Sequence, residues 1–274
     1  MSNRELFTLR SILNSNEFKK CTYELPIILG KTPMTNEVVI KDLVKLHHIL
    51  VGGASDQGRS SVLHGMITSL LCKKKPTELQ LVLIDPKYCE FDKYASAAKD
   101  FLAEIPGVPL PIQADCTEAT LVLKNLCDVM DERYKLLKMA GVNNILEYNA
   151  KYKCGDLSKE KGHNFMPYMV IVVDEFGDLM ITNGKQAETS IIQLASIGHR
   201  VGIHLIISTQ RVSCSVITGI IKANFPARIA FGVATVYDSR MIIDCPDATE
   251  LMGNGDMFFI SPDEKIHVQG AFVE

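Results

Sequence analysis

The chain has 274 residues and a formal net charge of −3, with 47% hydrophobic and 22% charged residues. This length and apolar fraction suffice for one large α/β domain or two small ones, and they exclude collagen-like and disordered classes. The slight negative charge argues against a large uniform basic face, so any contact with nucleic acid is expected to be local.

The N-terminal part predicts a small element ahead of the main domain. Residues 1–20 carry charges throughout and predict a short, partly helical lead-in. The runs 24–30 and 36–43 are β-like, and Pro33 between them favours a turn, so a small hairpin is expected. We predict that this lead-in and β element end at residue 45.

Continuous apolar runs follow over residues 46–274, the predicted main domain. The predicted strands are residues 47–53, 79–86, 168–175, 202–210 and 228–234, with a closing antiparallel pair at 255–261 and 265–273. Helical segments separate most of these strands, a pattern typical of parallel sheets covered on both faces. We therefore predict an α/β fold with a mostly parallel central sheet flanked by helices, a small N-terminal β-rich element and an antiparallel C-terminal pair.

Three segments have helical periodicity, and one is expected to be an exposed loop. The predicted helices are residues 61–74, 115–140 and 185–199, and the predicted loop is 151–165. Asp115 and Glu118 have the spacing of a capping box at the start of the long helix, and Gly141 suits its end.

The cysteines and the N-terminus indicate a cytoplasmic protein. No two cysteines form a C-x-x-C pair and most lie in apolar segments, which is typical of reduced thiols. The eight cysteines are Cys21, Cys72, Cys89, Cys116, Cys127, Cys154, Cys214 and Cys245. The N-terminus lacks the apolar run of a signal peptide, and no segment approaches the roughly 20 apolar residues of a membrane span. Association with the inner face of the cell membrane, through a membrane-bound partner or a segment missing from this chain, stays open.

The stretch GASDQGRSS at residues 53–61 has nearly the spacing of a phosphate-binding loop, G-x-x-x-x-G-K-[ST]. Gly53 and Gly58 stand at the two glycine positions, between an apolar strand and an amphipathic helix. Backbone N–H groups of such a loop and the N-terminus of the helix can bind phosphate. Ser60 stands where a hydroxyl would bind Mg²⁺. Arg59, however, replaces the lysine, and a glycine-rich turn without a ligand is the alternative.

A second element lies where a buried strand ends. The strand 168–173 is followed by Asp174 and Glu175, and the carboxyl edge of a parallel sheet is where ligands bind. Asp174 would hold Mg²⁺ through water, and Glu175 would orient and polarise the attacking water. A third strand ends in Ser208, Thr209 and Gln210, whose polar groups can contact a γ-phosphate. Plain polar strand ends are the alternative for both elements.

Several stretches together resemble the FtsK/SpoIIIE family of DNA-pumping ATPases. They are HHILVGGASDQGRSS, LVLIDPK, DERYKLLKMAGVNNILEYN, IVVDEFGDLM, GIHLIISTQR, VITGIIKANFPARIAFGV, DSRMIID and LMGNGDMFF. The resemblance covers most of residues 24–274. It implies a RecA-like P-loop motor domain that assembles as a hexameric ring around double-stranded DNA, with ATP and Mg²⁺ as cofactors and each ATP site between neighbouring subunits.

The resemblance also implies roles for single residues. The loop residues that would contact the nucleotide are Gly53, Ala54, Ser55, Asp56, Gln57, Gly58, Arg59, Ser60 and Ser61. Asp174 and Glu175 would be the Walker B pair, and Gln210 would sense the γ-phosphate. Asp85 and Lys87 match a family stretch near the site or the subunit contact, and Arg228 and Arg240 match positions that serve nucleotide or interface.

Two departures from the family pattern affect the expected activity. The position of the arginine finger, which faces the neighbouring subunit's nucleotide, holds His199, and a one-residue shift at the helix end would present the following Arg200 as the catalytic finger. Arginine in place of the loop lysine keeps the charge but changes its geometry, so slow or conditional ATP hydrolysis is expected. Asp56 adds a negative charge inside the loop.

Contacts with DNA are implied by the resemblance, and the candidates are Lys185, Arg211 and Lys222. A ring repeats the few charges of each subunit, and contacts with phosphate bind DNA of any sequence. The leading hypothesis is an ATP-dependent translocase for double-stranded DNA in chromosome partition or mobile-element transport. The alternatives are a related secretion-system ATPase that moves protein and a nucleotide-binding ring subunit without turnover.

Overall fold

The computed structural model describes residues 7–87, 90–105, 112–113 and 115–273. The chain divides into two compact units. Unit 1 comprises Met1–Lys73 and Ile207–Glu274, and unit 2 comprises Lys74–Ile206. The predicted boundary after residue 45 stays a prediction.

The predicted alternation of strands and helices is present. The strands are β1 (Pro26–Lys31), β2 (Val38–Asp42), β3 (Ile49–Gly52), β4 (Leu79–Ile84), β5 (Ile112–Gln113), β6 (Tyr168–Val173), β7 (Ile203–Thr209), β8 (Ala227–Phe231), β9 (Asp256–Ser261) and β10 (Glu264–Gln269). The helices are α1 (Leu9–Leu13), α2 (Asn16–Lys19), α3 (Leu43–Leu46), α4 (Arg59–Lys73), α5 (Tyr94–Ala97), α6 (Cys116–Ala140), α7 (Ile145–Cys154), α8 (Phe176–Ile197), α9 (Gly219–Asn224) and α10 (Val236–Ile243). Short 3-10 segments cover Lys99–Phe101, Lys159–Lys161, Gly198–Val201 and Asp247–Glu250.

Unit 1 contains a mixed sheet in the order β2-β1-β10-β9-β8-β3. The predicted hairpin β1/β2 and the predicted closing pair β9/β10 are both antiparallel, and β3 runs parallel to β8. Helix α4 packs against β1, and the Ser69 hydroxyl accepts a hydrogen bond from the N–H of Ile28. The predicted helical lead-in is confirmed for its described part as α1 and α2, and residues 1–6 lie outside the described residues.

Unit 2 contains the parallel order β6-β4-β5, with the beginning of β7 beside β6. All six residues of β6 are buried, as expected for a strand that is a continuous apolar run. Helix α6 packs against α8. Its predicted ends are confirmed, because the Asp115 carboxylate accepts hydrogen bonds from Thr117 N and Glu118 N and Gly141 adopts a left-handed φ of 63°.

Two predicted boundaries in unit 2 were wrong. Helix α8 begins at Phe176 instead of residue 185, and it continues through a kink at Asn183 (φ −134°, ψ 33°). The Asn183 amide donates to the Cys116 carbonyl oxygen at 3.2 Å, a tertiary contact that local periodicity does not encode. The predicted loop 151–165 begins inside α7, which ends only at the left-handed Gly155.

The described cysteines carry free thiols, and Cys89 lies outside the described residues. Cys127 is buried against α8, and burial raises the pKa of its thiol to about 11. Among the described residues, no helix is both long and apolar enough to cross a lipid bilayer.

Candidate functional site

The glycine-rich loop of unit 1 lies between a buried strand and a long helix. All four residues of β3 are buried, and α4 begins at Arg59, directly after the second loop glycine. Gly58 has φ +108°, and a Cβ there would lie 2.7 Å from the Gly255 Cα. Gly53 has φ +154°, and its Cβ would lie 2.5 Å from the Phe231 Cβ. Both positions therefore require glycine, since a side chain would collide with packed neighbours.

The loop is held in shape by backbone contacts with the later part of unit 1. The N–H of Ala54 donates to the Gly232 carbonyl oxygen at 3.0 Å, and the N–H of Gly255 donates to the Gln57 carbonyl oxygen at 2.8 Å. Asp56 lies between these two contacts with a left-handed φ of 57°, and its side chain is exposed. These two hydrogen bonds fix the backbone of the loop at both of its ends.

Gln210 lies beside this loop, as the third sequence element suggested. It directly follows β7, and its Oε1 atom accepts a hydrogen bond from the Ser55 hydroxyl at 2.5 Å. Residues 207–274 belong to the same unit as the loop. The structure therefore brings together two elements that are widely separated in the sequence.

Arg59, the departure from the loop pattern, is buried. Only 8% of the residue is exposed, and its Nη1 atom donates to the Ser208 hydroxyl oxygen at 3.0 Å. Ser208 lies on β7 and is fully buried. Ser60 and Ser61, in the first turn of α4, are half-buried. The loop thus combines a helix N-terminus, two hydroxyls and a cation, a set of groups suited to an anion.

A cavity of about 600 Å³ opens beside the loop in unit 1. Five predicted loop residues line it, together with five residues from the C-terminal part of the chain that were not predicted as site residues. The lining residues are Asp56, Gly58, Arg59, Ser60, Ser61, Asn254, Gly255, Gly270, Ala271 and Phe272. The one available signal was the GNG stretch at 253–255, in which all three residues have positive φ.

The acidic pair of unit 2 is buried at the end of β6. Asp174 is 4% exposed and Glu175 is 6% exposed. The N–H of Asp174 donates to the Ile84 carbonyl oxygen at 2.9 Å, which extends the pairing with β4 to the pair itself. Glu175 has a left-handed φ of 48° and precedes the first residue of α8. A left-handed residue other than glycine or asparagine is uncommon, and such strain clusters at functional sites.

Lys87 lies next to Glu175, with 3.0 Å between the lysine Nζ and the glutamate Oε1 atoms. The buried Asp85 shapes the loop that carries this lysine. Its carboxylate accepts hydrogen bonds from Lys87 N at 3.2 Å, Glu90 N at 2.7 Å and Phe91 N at 3.2 Å. Asp85 thus acts within the loop, and Lys87 supplies a cation to the acidic pair.

The corner that carries His199 and Arg200 is the 3-10 segment Gly198–Val201, where Arg200 is exposed. The buried Arg133 of α6 donates to the Val201 carbonyl oxygen at 2.9 Å, and the Tyr134 hydroxyl donates to that of Ile197 at 2.8 Å. Burial lowers the pKa of Arg133 to about 10. Two side chains of α6 therefore hold the backbone of this corner while Arg200 reaches solvent.

The three candidates for DNA contact have different surroundings. Lys185 and Arg211 are exposed, whereas the Lys222 side chain is only 18% exposed and lies 2.7 Å from a carboxylate oxygen of Asp244. Arg228 pairs with the same carboxylate. Burial alone would raise the pKa of Asp244, but hydrogen bonds from Lys222 and Arg228 lower it. Lys222 and Arg228 are thus parts of an ion cluster, and Arg240, the other family-matched arginine, is exposed.

Comparison with solved structures confirms the predicted fold class. A conjugation coupling protein, TcpA of pCW3, solved as a monomer with ATPγS, superposes with a TM-score of 0.77 at 23% identity, covering 97% of this chain and 70% of that one. The cytoplasmic domain of the type VII secretion ATPase EccC from Thermomonospora curvata gives a TM-score of 0.78 at 20% identity, covering 97% of this chain and 32% of that one. At these identities the likeness concerns the fold.

Sequence relatives are considerably closer. The chain is 46% identical to a DNA translocase FtsK from Chlorobaculum tepidum, over 92% of this chain and 30% of that protein. It is 38% identical to DNA translocase SpoIIIE from Bacillus subtilis, over 98% of this chain and 34% of that protein. The chain thus spans about a third of the length of these relatives.

A family model matches the part of the chain that carries the loop, the acidic pair and Gln210. The match covers residues 8–214 and is to the FtsK/SpoIIIE family. The resemblance found in the sequence is therefore confirmed. The chain belongs to the FtsK/SpoIIIE family.

Proposed function

We propose that this chain is the motor part of an ATP-dependent translocase that acts on double-stranded DNA. The observation that carries the proposal is the glycine-rich loop with Gln210 hydrogen-bonded to Ser55, in a chain whose relatives are named DNA translocases. In this proposal the loop N–H groups and the N-terminus of α4 bind the phosphates of ATP. The cavity beside Ser60, Asn254 and Phe272 receives the rest of the nucleotide.

The two residues predicted to hold Mg²⁺ carry oxygen atoms, the donors that this ion prefers. Ser60 supplies a hydroxyl at the start of α4, and Asp174 supplies a buried carboxylate. Hard oxygen ligands with retained waters are what Mg²⁺ prefers, and the bound ion would neutralise charge on the phosphates. We propose that Ser60 binds this ion directly and that Asp174 does so through water.

The chemical step is proposed to depend on Glu175. Its carboxylate would orient the attacking water and accept its proton, as a base at the end of a buried strand can do. Lys87, 3.0 Å from this carboxylate, holds it in place by charge. Gln210 would contact the γ-phosphate or the water, since its hydrogen bond to Ser55 places it at the loop.

Assembly completes the proposed site. A hexameric ring would present the exposed Arg200 of one subunit to the nucleotide of its neighbour. The hydrogen bonds from Arg133 and Tyr134 keep that corner rigid, which suits a charge that must be preorganised. Lys185 and Arg211, both exposed, would contact DNA phosphates. We also propose that this motor associates with a membrane-bound partner.

Duplex DNA is expected to stimulate ATP hydrolysis by this chain. Phosphate release would be measured with Mg²⁺ and ATP, with and without linear duplex DNA, and at two salt concentrations because phosphate contacts weaken with salt. Loss of stimulation at the higher salt is expected. Hydrolysis that does not respond to DNA at either salt would rule out the DNA part of the proposal, and failure to bind ATP would rule out all of it.

Arg59→Lys is expected to raise the rate of ATP hydrolysis by about tenfold. The lysine ammonium is a compact charge that can follow the γ-phosphate into the transition state, whereas the planar guanidinium is less adaptable. The measurement is kcat for ATP at saturating DNA, with Arg10→Lys, at an exposed position of α1, as a control for the loss of a guanidinium elsewhere. An unchanged or lower kcat would show that Arg59 does not limit turnover.

A further inference from the structure

Arginine at the lysine position of the loop donates a hydrogen bond to a serine on β7. The guanidinium of Arg59 is buried and donates through Nη1 to the Ser208 hydroxyl oxygen at 3.0 Å. Arg59 also lines the cavity beside the loop. The same residue therefore contacts β7 and borders the space proposed for the nucleotide.

Because side chains alternate along a strand, Ser208 of β7 and Gln210, which directly follows β7, can both contact the loop. Residues two positions apart point to the same side of a strand. Ser208 contacts Arg59, and Gln210, two positions later, contacts Ser55. The end of β7 and the residue that follows it thus contact the loop near its start and at the first residue of α4.

The chemistry of the two side chains makes this contact directional. A guanidinium is a rigid plane with five N–H donors, so fixing one Nη restricts the direction of the others. A lysine ammonium has no such plane and would gain little from the same hydroxyl. A guanidinium can also bind phosphate oxygens through charge-assisted hydrogen bonds.

We propose that Ser208 is a positioning residue that orients the Arg59 guanidinium toward the nucleotide phosphates and so allows arginine to replace lysine in this loop. The inference rests on the proposed function, because it assumes that ATP binds at the loop. It adds a specific dependence, namely that the Ser208 hydroxyl matters to nucleotide binding only while residue 59 is arginine.

A double-mutant cycle tests this dependence. The variants are Ser208→Ala, Arg59→Lys and the double variant, and the measurement is the Kd of Mg²⁺–ATPγS by calorimetry. We expect Ser208→Ala to weaken binding about tenfold in the wild-type background, as for loss of a hydrogen bond to a charged group. In the Arg59→Lys background the same change is expected to alter Kd less than about twofold, since the contact no longer exists.

Ser239→Ala is the matched control. Ser239 is also fully buried in unit 1, and its hydroxyl donates to the Cys245 carbonyl oxygen and accepts from Ala248 N, away from the loop. This variant is expected to lower thermal stability without changing Kd. Thermal unfolding of all variants identifies any that do not fold, and Ser208→Thr, which keeps the hydroxyl, is then expected to restore binding to within about threefold.

The possible outcomes separate the inference from the proposed function. Equal weakening by Ser208→Ala in both backgrounds would show that Ser208 only supports the fold, and no weakening in either would show that its hydroxyl is irrelevant. Both results overturn the inference while ATP binding by the wild-type chain stands. If the wild-type chain itself does not bind Mg²⁺–ATPγS, the proposed function fails and this inference fails with it.

Discussion

Glu175→Gln is expected to lower the rate of ATP hydrolysis by about 10²–10⁴-fold while leaving ATP bound, because a base that accepts the proton of water typically contributes that much. Glutamine has nearly the same shape, so packing at the end of β6 is preserved. Lys87, whose side chain is 43% exposed, stays in contact with solvent and lies 4.0 Å from the Asp178 carboxylate. The effect should therefore fall on the chemical step and not on stability.

The measurement combines single-turnover hydrolysis with ATP binding by calorimetry. Glu132→Gln is the matched control, since the same substitution is made at a side chain that is 69% exposed and pairs only with its neighbour Lys135 among the ion pairs described. That control is expected to hydrolyse ATP at the wild-type rate. Wild-type turnover in Glu175→Gln would remove Glu175 from the proposed mechanism.

Gly58→Ala is expected to abolish ATP binding and to lower the free energy of unfolding by about 3 kcal/mol. The added Cβ would lie 2.7 Å from the Gly255 Cα and 2.8 Å from the Gly255 N, and neither backbone atom can rotate away. The left-handed φ of +108° adds strain for alanine. The collision can be relieved only if the loop moves away from the start of β9. That movement would destroy the loop conformation that is proposed to bind phosphate.

Urea unfolding and ATP titration together check this expectation. Gly219→Ala is a matched control in the same unit, because a Cβ there meets nothing within 4 Å and the residue is the first of α9. It is expected to leave ATP binding unchanged and to stabilise the chain by up to about 1 kcal/mol. Wild-type stability and affinity in Gly58→Ala would mean that the close approach to Gly255 is unimportant.

The parts of the site that follow from the sequence are those set by neighbours in the chain. The loop 53–61 was predicted from glycine spacing, and the acidic pair from a buried apolar strand that ends in two carboxylates. Their placement after β3 and β6 agrees with that expectation. The prediction of Gln210 as a site residue depended on the family resemblance as much as on its position after a strand, since polar strand ends are common.

The remaining parts depend on contacts between distant residues, which local periodicity does not contain. Nothing near the loop indicates that Gly232 and Gly255 close it. The cavity residues 270–272 lie in a segment that predicts only a strand. The beginning of α8 was missed because Thr182, Asn183 and Gly184 resemble a turn, whereas the helix begins at Phe176 and packs against α6. Such tertiary contacts routinely override local propensity.

The closure of the glycine-rich loop by residues from the second segment of unit 1 has a consequence for biosynthesis. Proteins emerge from the ribosome N-terminus first. Residues 53–58 are therefore made long before Gly232 and Gly255, whose backbone groups hold them. Until those residues emerge, a nascent chain has no closed loop to offer ATP. Because a ligand stabilises only the state that binds it, the nucleotide proposed to bind here can favour folding only in chains whose synthesis has passed these positions.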